Sequence, residues 1–211
     1  MQHTHPTKRV LIETVISLLE EKGPELITSD EVLQTSGVSR GSMYHHFVDF
    51  GDLIEAAQVR RFSKYIDESI AVITQIVFPV TSRQKLREGL QEVTRLTQAA
   101  ELADRRFARV MPFAAAAKNE RLRARLGAEQ ERLTTALMDL IEDAQNRGDF
   151  NTDFPPRVMA VMIQAYTMGR IVDDVTQAHM DQTDWNRMID TLLDRVFGLD
   201  GVSGTREAKS E

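Results

Sequence analysis

The sequence predicts an all-α fold, in which a small amino-terminal helix-turn-helix headpiece precedes a larger helical domain. Apolar residues recur at spacings of three and four along most of the 211 residues, which is the period of an amphipathic helix. Glycine, proline and small polar residues interrupt this pattern where helices would start and stop. No run of alternating apolar and polar residues indicates a strand.

Composition excludes several kinds of site. The chain has no cysteine, which excludes disulfides, thiolate metal sites and cysteine nucleophiles. Its first ten residues, MQHTHPTKRV, lack the apolar core of a signal peptide. No apolar run approaches the roughly 18 residues that would indicate a membrane span. We therefore expect a cytoplasmic protein that does not associate with membranes.

The headpiece is predicted at residues 1–51 and begins with two short helices. Apolar residues close to a 3.6-residue period place the first helix over 7–22. Thr7 is its predicted cap, and Gly23 followed by proline ends it. The second helix is expected to follow Ser29 as its cap and to stop at Gly37.

A third helix completes the headpiece and is expected to begin near Ser39. Met43 and Phe47, four residues apart, lie on one side of it and predict its buried face. Gly37 can take the positive φ of a tight turn between two helices without steric cost. The segment therefore has the pattern of a helix-turn-helix.

The larger domain is predicted at residues 52–200. It starts with a connecting helix over 52–78, and Pro112 is expected to bend one of the later helices. Residues 201–211 are polar and contain glycine, which predicts a disordered tail. The later helices are expected over 82–101, 102–118, 119–147, 155–178 and 184–198.

The last two helices predict a homodimer. The helix at 155–178 is apolar nearly all round, which indicates burial on every side, and the helix at 184–198 has an apolar stripe. We expect these helices from two chains to form a four-helix interface. The predicted interface residues are Val161, Ala165, Met168, Gly169, Val172, Trp185, Ile189, Leu192, Leu193 and Val196.

The segment ITSDEVLQTSGVSRGSMYHHFVDFGDLIEAA, residues 27–57, resembles the helix-turn-helix headpiece of TetR-family transcriptional repressors. The family pattern has a threonine opening the second helix, Gly-Val-Ser in the turn and an aromatic-rich run ending in His-Phe. The resemblance extends more loosely over residues 7–198. It implies a ligand-responsive repressor that binds a palindromic DNA operator as a homodimer. The positions in register are Thr28, Gly37, Val38, Ser39, Ser42, Met43, Tyr44, His46 and Phe47.

The resemblance and the side-chain chemistry together predict the DNA contacts. Ser39 can cap the recognition helix, and Arg40 at its leading end suits paired hydrogen bonds to guanine. Ser42, Tyr44 and His46 are types that contact phosphates. The predicted DNA-contacting residues are Lys8, Thr28, Ser29, Ser39, Arg40, Gly41, Ser42, Tyr44, His45 and His46.

Charge predicts that DNA binding is modest or sensitive to salt. The chain has a net charge of −6, and its first 65 residues contain seven basic and nine acidic side chains. Phe50 stands where the family usually has a lysine that contacts phosphate. Because DNA affinity rests largely on positive side chains near phosphates, each of these features lowers it.

The resemblance places an effector site in the second domain. Several methionines there, which are flexible and polarizable, predict a small apolar effector, and Tyr166 supplies a polar handle. Arg170 has two interpretations, an ion pair with Asp173 or Asp174 and a contact to a ligand carboxylate. The predicted effector-site residues are Leu96, Phe107, Met111, Phe113, Leu137, Met162, Tyr166 and Arg170.

The sequence also bears on three other functions, which are a ligand carrier, a metal-binding protein and an enzyme. A helical small-molecule carrier or interaction module, whose headpiece has lost DNA affinity, stays open because of the acidic headpiece. His45 and His46 do not predict a metal site, because adjacent helical residues point about 100° apart and no third ligand is evident. We expect neither an enzyme nor a cofactor, since the sequence has no nucleophile elbow, phosphate loop or His-Glu metal motif.

Overall fold

Helices account for most of residues 5–77 and 82–199, which are the residues that this computed structural model describes. No strand occurs within those ranges, and the all-α prediction is confirmed. The helices are α1 Pro6–Glu21, α2 Ser29–Ser36, α3 Arg40–His46, α4 Phe50–Ile76, α5 Arg83–Gln98, α6 Ala103–Ala116, α7 Glu120–Asn146, α8 Pro156–Gly169, α9 Ile171–Asp174 and α10 Gln182–Phe197.

The caps of the first helices differ from the sequence prediction by one or two residues. His5, rather than Thr7, caps α1, because its Nδ1 accepts a hydrogen bond from the Thr7 amide at 3.3 Å. Thr28, rather than Ser29, caps α2, because its Oγ1 accepts from the Glu31 amide at 3.3 Å. In both places a neighbouring side chain has the geometry that reaches the free amides of the first turn.

One predicted helix is interrupted. The apolar segment 155–178 forms α8, which ends at Gly169, and the single turn α9, which ends at Asp174. Apolar residues continue across Gly169, so their spacing carries no information about the break. The segment predicted over 82–101 likewise ends as α5 at Gln98, and a 3-10 turn over Ala100–Leu102 precedes α6. Pro112 lies inside α6, as predicted.

The chain divides into two compact units. Unit 1 contains the described residues of Met1–Tyr65 and Pro112–Glu129, and unit 2 those of Ile66–Met111 and Gln130–Glu211. The predicted tail at 201–211 and residue 78 of the predicted connecting helix lie outside the described residues. Within the described ranges, no helix is long and apolar enough to cross a membrane.

Unit 1 contains the headpiece core. Side chains from α1 to α4 bury one another there, and their apolar surface supplies the main stabilisation of the three short helices. Phe62 of α4 packs edge-to-face on Phe113, with ring centroids 5.2 Å apart. The buried core residues are Leu11, Val15, Leu18, Ile27, Val32, Met43, Phe47, Leu53 and Ala57.

Unit 2 is a bundle in which α5 packs against α8 and α10. Two arginine–aspartate pairs join α5 to α10: Arg87 with Asp194, and Arg95 with Asp190. In the core, Phe150 and Phe197 pack with tilted rings whose centroids are 4.5 Å apart. The buried apolar residues include Leu86, Leu133, Leu137, Leu140, Ile141, Met159, Ile189, Leu193 and Phe197.

Candidate nucleic-acid interface

The turn between α2 and α3 has the geometry that the sequence predicts. Gly37 follows α2 with φ 67°, in the left-handed region, and an added Cβ would meet no atom within 4 Å. The need for glycine is therefore conformational rather than steric. Ser39 caps α3, since its Oγ accepts from the Ser42 amide at 3.2 Å. These two local features fix where the third helix starts.

Helix α3 separates apolar from polar side chains. Met43 and Phe47 are buried in the headpiece core, at 0% and 3% exposure. The ten predicted DNA-contacting residues are all at least partly exposed. Among them Arg40, Gly41, Tyr44 and His45 are exposed, whereas Ser42 and His46 are half-buried. Unit 1 therefore presents a contiguous polar face on α3, anchored by two apolar side chains.

Arg40 has a partner on the neighbouring helix. Its guanidinium forms an ion pair with the carboxylate of Asp30, in the first turn of α2. Both side chains are more than half exposed, at 56% and 80%, so the pair contributes little to folding. It nevertheless orients Arg40 and places a negative charge beside the predicted DNA-contacting face. Asp30 thus modulates any contact that Arg40 makes.

Three histidines and a lysine meet where α1 begins and α3 ends. The rings of His5 and His46 lie 4.7 Å apart, and those of His45 and His46 lie 5.1 Å apart. Lys8 Nζ lies 5.4 Å from the centre of the Phe47 ring, a cation–π distance. Desolvation, and the positive charges of the two other imidazoles and Lys8, lower the pKa of His46. This cluster brings predicted residues from two helices together.

The start of α4 is held by arginines from the start of α7, within unit 1. Glu55 accepts hydrogen bonds from Asn119 at 2.8 Å and from Arg121 Nε at 2.7 Å and Nη2 at 2.8 Å. Arg125 Nη1 lies 2.8 Å from Asp52 Oδ1. The Arg121 hydrogen bond, opposed by burial and aided by Asn119, lowers the pKa of Glu55. This network fixes the start of α4, the helix that follows α3.

The comparison with known families identifies the headpiece. Residues 11–57 match the family described as bacterial regulatory proteins, tetR family. Residues 11–57 are therefore similar to the headpiece of that family. The match spans most of α1, the whole of α2 and α3, and the first turns of α4.

Solved structures extend the similarity in fold to nearly the whole chain. Salmonella enterica GusR aligns with TM-score 0.67 and 20% identity, covering 94% of this chain and 100% of that protein. A TetR-family regulator from Mesorhizobium loti aligns with TM-score 0.65 and 16% identity, covering 92% and 96%. One from a Rhodococcus species has TM-score 0.62 and 21% identity, covering 90% and 98%. No curated protein matches the sequence. The chain thus has the TetR-family fold from headpiece to helical second half.

The predicted effector-site residues lie in both units. Phe113 is in unit 1 against Phe62, whereas the seven others are in unit 2. Leu96 and Met111 are exposed and Leu137 is buried in the bundle. The Tyr166 hydroxyl lies 3.0 Å from Thr94 Oγ1. Arg170 is buried and 3.9 Å from Asp174, which is the ion-pair partner that the sequence suggested.

The predicted dimer residues separate into two sets. Ile189 and Leu193 are buried by their own chain, so they offer almost no surface to a partner. Val161, Ala165, Gly169, Val172 and Leu192 are exposed, and Met168, Trp185 and Val196 are half-buried. Between residues 156 and 197, three further large apolar side chains that the sequence analysis did not select are also exposed, namely Val158, Val175 and Met188.

Sequence reasoning missed His5, Asp30 and the Glu55 network as parts of this interface. His5 was overlooked because nothing in the sequence pairs it with His46, 41 residues away. Asp30 gave a usable signal, since an acid in the first turn of the helix before the recognition helix lies near that helix's leading end. Glu55 and Arg121 are 66 residues apart, and no pattern in the sequence relates them.

Proposed function

We propose that this protein is a homodimeric transcriptional repressor, which binds a palindromic operator through α2 and α3 and releases it when a small effector binds in unit 2. The observation that supports this most is that Met43 of α3 and Phe47 directly after it are buried, whereas Arg40, Tyr44 and His45 of α3 are exposed. A short helix anchored in this way can enter a major groove without disturbing its core.

Few cations support the contact with DNA. Lys22 is paired with Glu31, at 2.6 Å, and Arg40 is paired with Asp30. Lys8, beside the end of α3, is the predicted phosphate contact from α1. Since each phosphate contact by a cation contributes to the salt dependence of affinity, we propose a protein that binds its operator by few ionic contacts and relies on the groove contacts of α3.

Effector control requires unequal affinity for two conformations. A ligand releases DNA only by favouring the form in which the two recognition helices do not fit successive major grooves. The helical unit 2, with the effector-site residues proposed there, is the part of the chain that would bind such a ligand. The exposed apolar residues of α8, α9 and α10 are the observation that supports a homodimer.

The proposal is tested by selecting DNA from a random pool and measuring affinity by fluorescence anisotropy. A palindromic site should be enriched. Arg40→Ala should reduce the free energy of operator binding by about 1–3 kcal/mol and relax the preference at one base per half-site. Tyr44→Phe should instead lower the affinity for all DNA sequences alike. Arg187→Ala, an exposed arginine of unit 2, is the matched control. Failure to enrich any palindrome would contradict the proposal.

A second function has one observation in its favour. The engagement of Arg40 by Asp30, in a headpiece with excess acidic residues, suits a carrier or interaction module that no longer binds DNA. Retention of the chain on an operator fragment, but not on a scrambled one, would exclude this function. If neither fragment retains the chain while ligands still bind, the carrier is the correct assignment.

A further inference from the structure

Unit 2 buries a group of charged and polar side chains on α5, α6 and α9 and at the junction of α8 with α9. Arg106 and Arg170 are 6% and 4% exposed, and Gln98 is 0% exposed. The side chain of Asp174 is 4% exposed. Burial of a charge is costly unless the charge is paired and hydrogen-bonded. A buried charge in this group that lacks such partners would therefore indicate a binding site for a ligand.

Arg106 is fully engaged. Its Nε donates to Asp174 Oδ2 at 2.5 Å, its Nη2 to Asp174 Oδ1 at 2.6 Å, and its Nη1 to the Ala99 carbonyl at 2.9 Å. This is a two-bond guanidinium–carboxylate pair, the strong form of that interaction. Both oxygens of Asp174 are therefore bound to Arg106, and one positive charge is balanced.

Arg170 is engaged only in part. Its Nη1 donates to the backbone carbonyl of Gln98. Its Nε is 3.9 Å from Asp174 Oδ1, too far for a hydrogen bond, and has no acceptor among the described residues although it is buried. On the adjoining helix, the Nε2 of Gln98 donates to the Thr167 carbonyl at 3.0 Å, while its buried Oε1 has no donor within the described ranges.

The other nearby acids do not complete the pairing. Asp173 Oδ1 accepts from the Met180 amide at 3.0 Å, and Asp173 Oδ2 lies 3.4 Å from His179 Nδ1. Glu101 is exposed. Burial, and then the charge of Arg106, lower the pKa of Arg170, whereas Asp174, Asp173 and Glu101 oppose this. The lowered pKa follows first from burial of the guanidinium, and it agrees with the missing hydrogen bond at Nε.

We propose that Arg170 binds the carboxylate of a small organic acid, which is the effector of this regulator. The carboxylate would accept from the Arg170 Nε–H and balance the second guanidinium, and Gln98 Oε1 would accept from a hydroxyl or N–H group of the same molecule. This inference rests on the proposed function, and it adds an anionic group to the apolar effector that the methionines predict.

Two other occupants fit less well. A buried water can accept from Nε and donate to Gln98 Oε1, but it balances no charge. A phosphate dianion would bring two negative charges to a group in which Arg106 is already hydrogen-bonded to Asp174 and only Arg170 lacks a hydrogen bond to a carboxylate. A carboxylate matches both the charge and the planar edge of Arg170.

The test is the thermal unfolding of the full-length chain without DNA, in sodium acetate or benzoate against sodium chloride at equal ionic strength. Acetamide and benzamide serve as uncharged probes of the same shape. The carboxylates should raise Tm saturably, by about 3–6 °C at ten times Kd, and the amides should not. Arg170→Gln should abolish this rise, and Arg187→Gln, which removes an exposed charge of unit 2, should retain it.

Two outcomes would overturn the proposal. The first is an equal carboxylate effect in the parent chain and in Arg170→Gln. The second is the absence of any saturable effect in the parent chain, together with a Tm of Arg170→Gln far below the parent's in chloride, since Arg170 would then be structural. If Arg170→Gln does not fold, the Nε–H resonance of Arg170 in the parent chain decides. It should shift with benzoate and not with benzamide, and no shift with benzoate overturns the proposal.

Operator affinity separates this inference from the proposed function. If the carboxylate binds at Arg170 and lowers operator affinity, the anion site and the ligand-responsive repressor are both supported. If it binds and operator affinity is unchanged, the anion site stands and effector control fails. If the operator is bound and no carboxylate binds, the repressor stands and Arg170 is not the effector contact.

Discussion

Asp30 in the first turn of α2 holds the guanidinium of Arg40 at the leading end of α3. The pair lies on the exposed face that would meet DNA. Its carboxylate would therefore repel phosphates and compete for the side chain proposed to read a base. Arg40 would therefore have to exchange its ion pair with Asp30 for hydrogen bonds to guanine when DNA binds.

Removal of the Asp30 charge is expected to tighten DNA binding. Asp30→Asn frees Arg40 and deletes one negative charge near the phosphates, so operator affinity at low salt should rise by about three- to tenfold. Glu25→Gln, which neutralises an exposed headpiece acid with no ion-pair partner among the described salt bridges, is the control and should have a smaller effect. Fluorescence anisotropy across a salt series measures both. Equal effects of the two substitutions would show that general charge, not the Arg40 pair, controls affinity.

The network around Glu55 is expected to stabilise unit 1. Glu55→Ala removes the carboxylate that Asn119 and Arg121 share and leaves Arg121 only Asp49, at 3.5 Å, which should lower the free energy of unfolding by about 2 kcal/mol. The cost stays below that of a fully buried pair because Arg121 is partly exposed. Glu68→Ala on the same helix removes an exposed pair with Arg105 and should cost at most about 0.5 kcal/mol. Urea denaturation measures both, and equal costs would contradict the proposed role of Glu55.

Acid should remove the same contribution. The pKa of Glu55 is lowered in the folded chain, so its stabilisation is fully present above the unfolded pKa of about 4.3 and is lost as the pH falls through the folded value. The difference in unfolding free energy between the parent chain and Glu55→Ala should therefore shrink below about pH 4. A difference that is constant from pH 6 to pH 3 would show that the carboxylate charge is not what stabilises unit 1.

Much of the headpiece is predictable because its determinants are local. Gly37, Ser39 and Met43 lie within seven residues, and each specifies a backbone angle, a cap or a buried face by itself. The pairs Arg40–Asp30, His5–His46 and Glu55–Arg121 depend on how separate helices pack, and periodicity does not specify which polar side chains then meet. For the same reason the polar face of α3 was predictable from the sequence, whereas the pairing of Asp30 with Arg40 was not.

The second half was predictable only in outline. Residues 155–178 show a continuous apolar pattern, yet the helix breaks after Gly169 and buries Arg170. The apolar residues on either side of an arginine in the sequence do not specify whether its side chain is buried or exposed. Likewise, the stripe on α10 did not show which side chains face the chain's own core. Leu192 and Leu193 are adjacent, but Leu192 is 40% exposed and Leu193 is 2% exposed.

The histidine cluster predicts a pH-dependent headpiece. Because the pKa of His46 is lowered by folding, the folded chain binds fewer protons than the unfolded chain once the pH falls below about 6.5. The stability associated with neutral His46 is thus present above about pH 6.5 and is lost as the pH falls toward the folded pKa. His46→Gln should flatten this part of the pH profile of unfolding.

DNA should reverse the direction of that shift. A phosphate beside His46 favours its charged form, so operator binding should raise its pKa and become tighter as the pH falls from 8 to 6. The titration of the imidazole C–H resonances by NMR, with and without operator DNA, measures both changes. An identical His46 titration in the two samples would remove this residue from the DNA contact surface.

Adjacent leucines on α10 provide a sharp test of the proposed dimer. Leu192 is exposed, as are Val161, Val172 and Met188 of unit 2, whereas Leu193 lies in the core of its own chain. Leu192→Asp should place a carboxylate in the interface and give a folded monomer, because an unpaired buried charge is costly only once the partner covers it. Leu193→Asp should instead unfold unit 2 in either oligomeric state.

Sedimentation velocity and circular dichroism distinguish these two results. Leu192→Asp should sediment as one chain with its helical signal intact, and its operator affinity should fall steeply, since one headpiece covers only one half-site. Leu192→Asn is the uncharged control and should dissociate less, because its side chain carries no charge into the interface. A parent chain that is monomeric at micromolar concentration, or a dimer that survives Leu192→Asp, would remove α10 from the interface. In the second case the exposed valines of α8 and α9 would have to form the dimer alone.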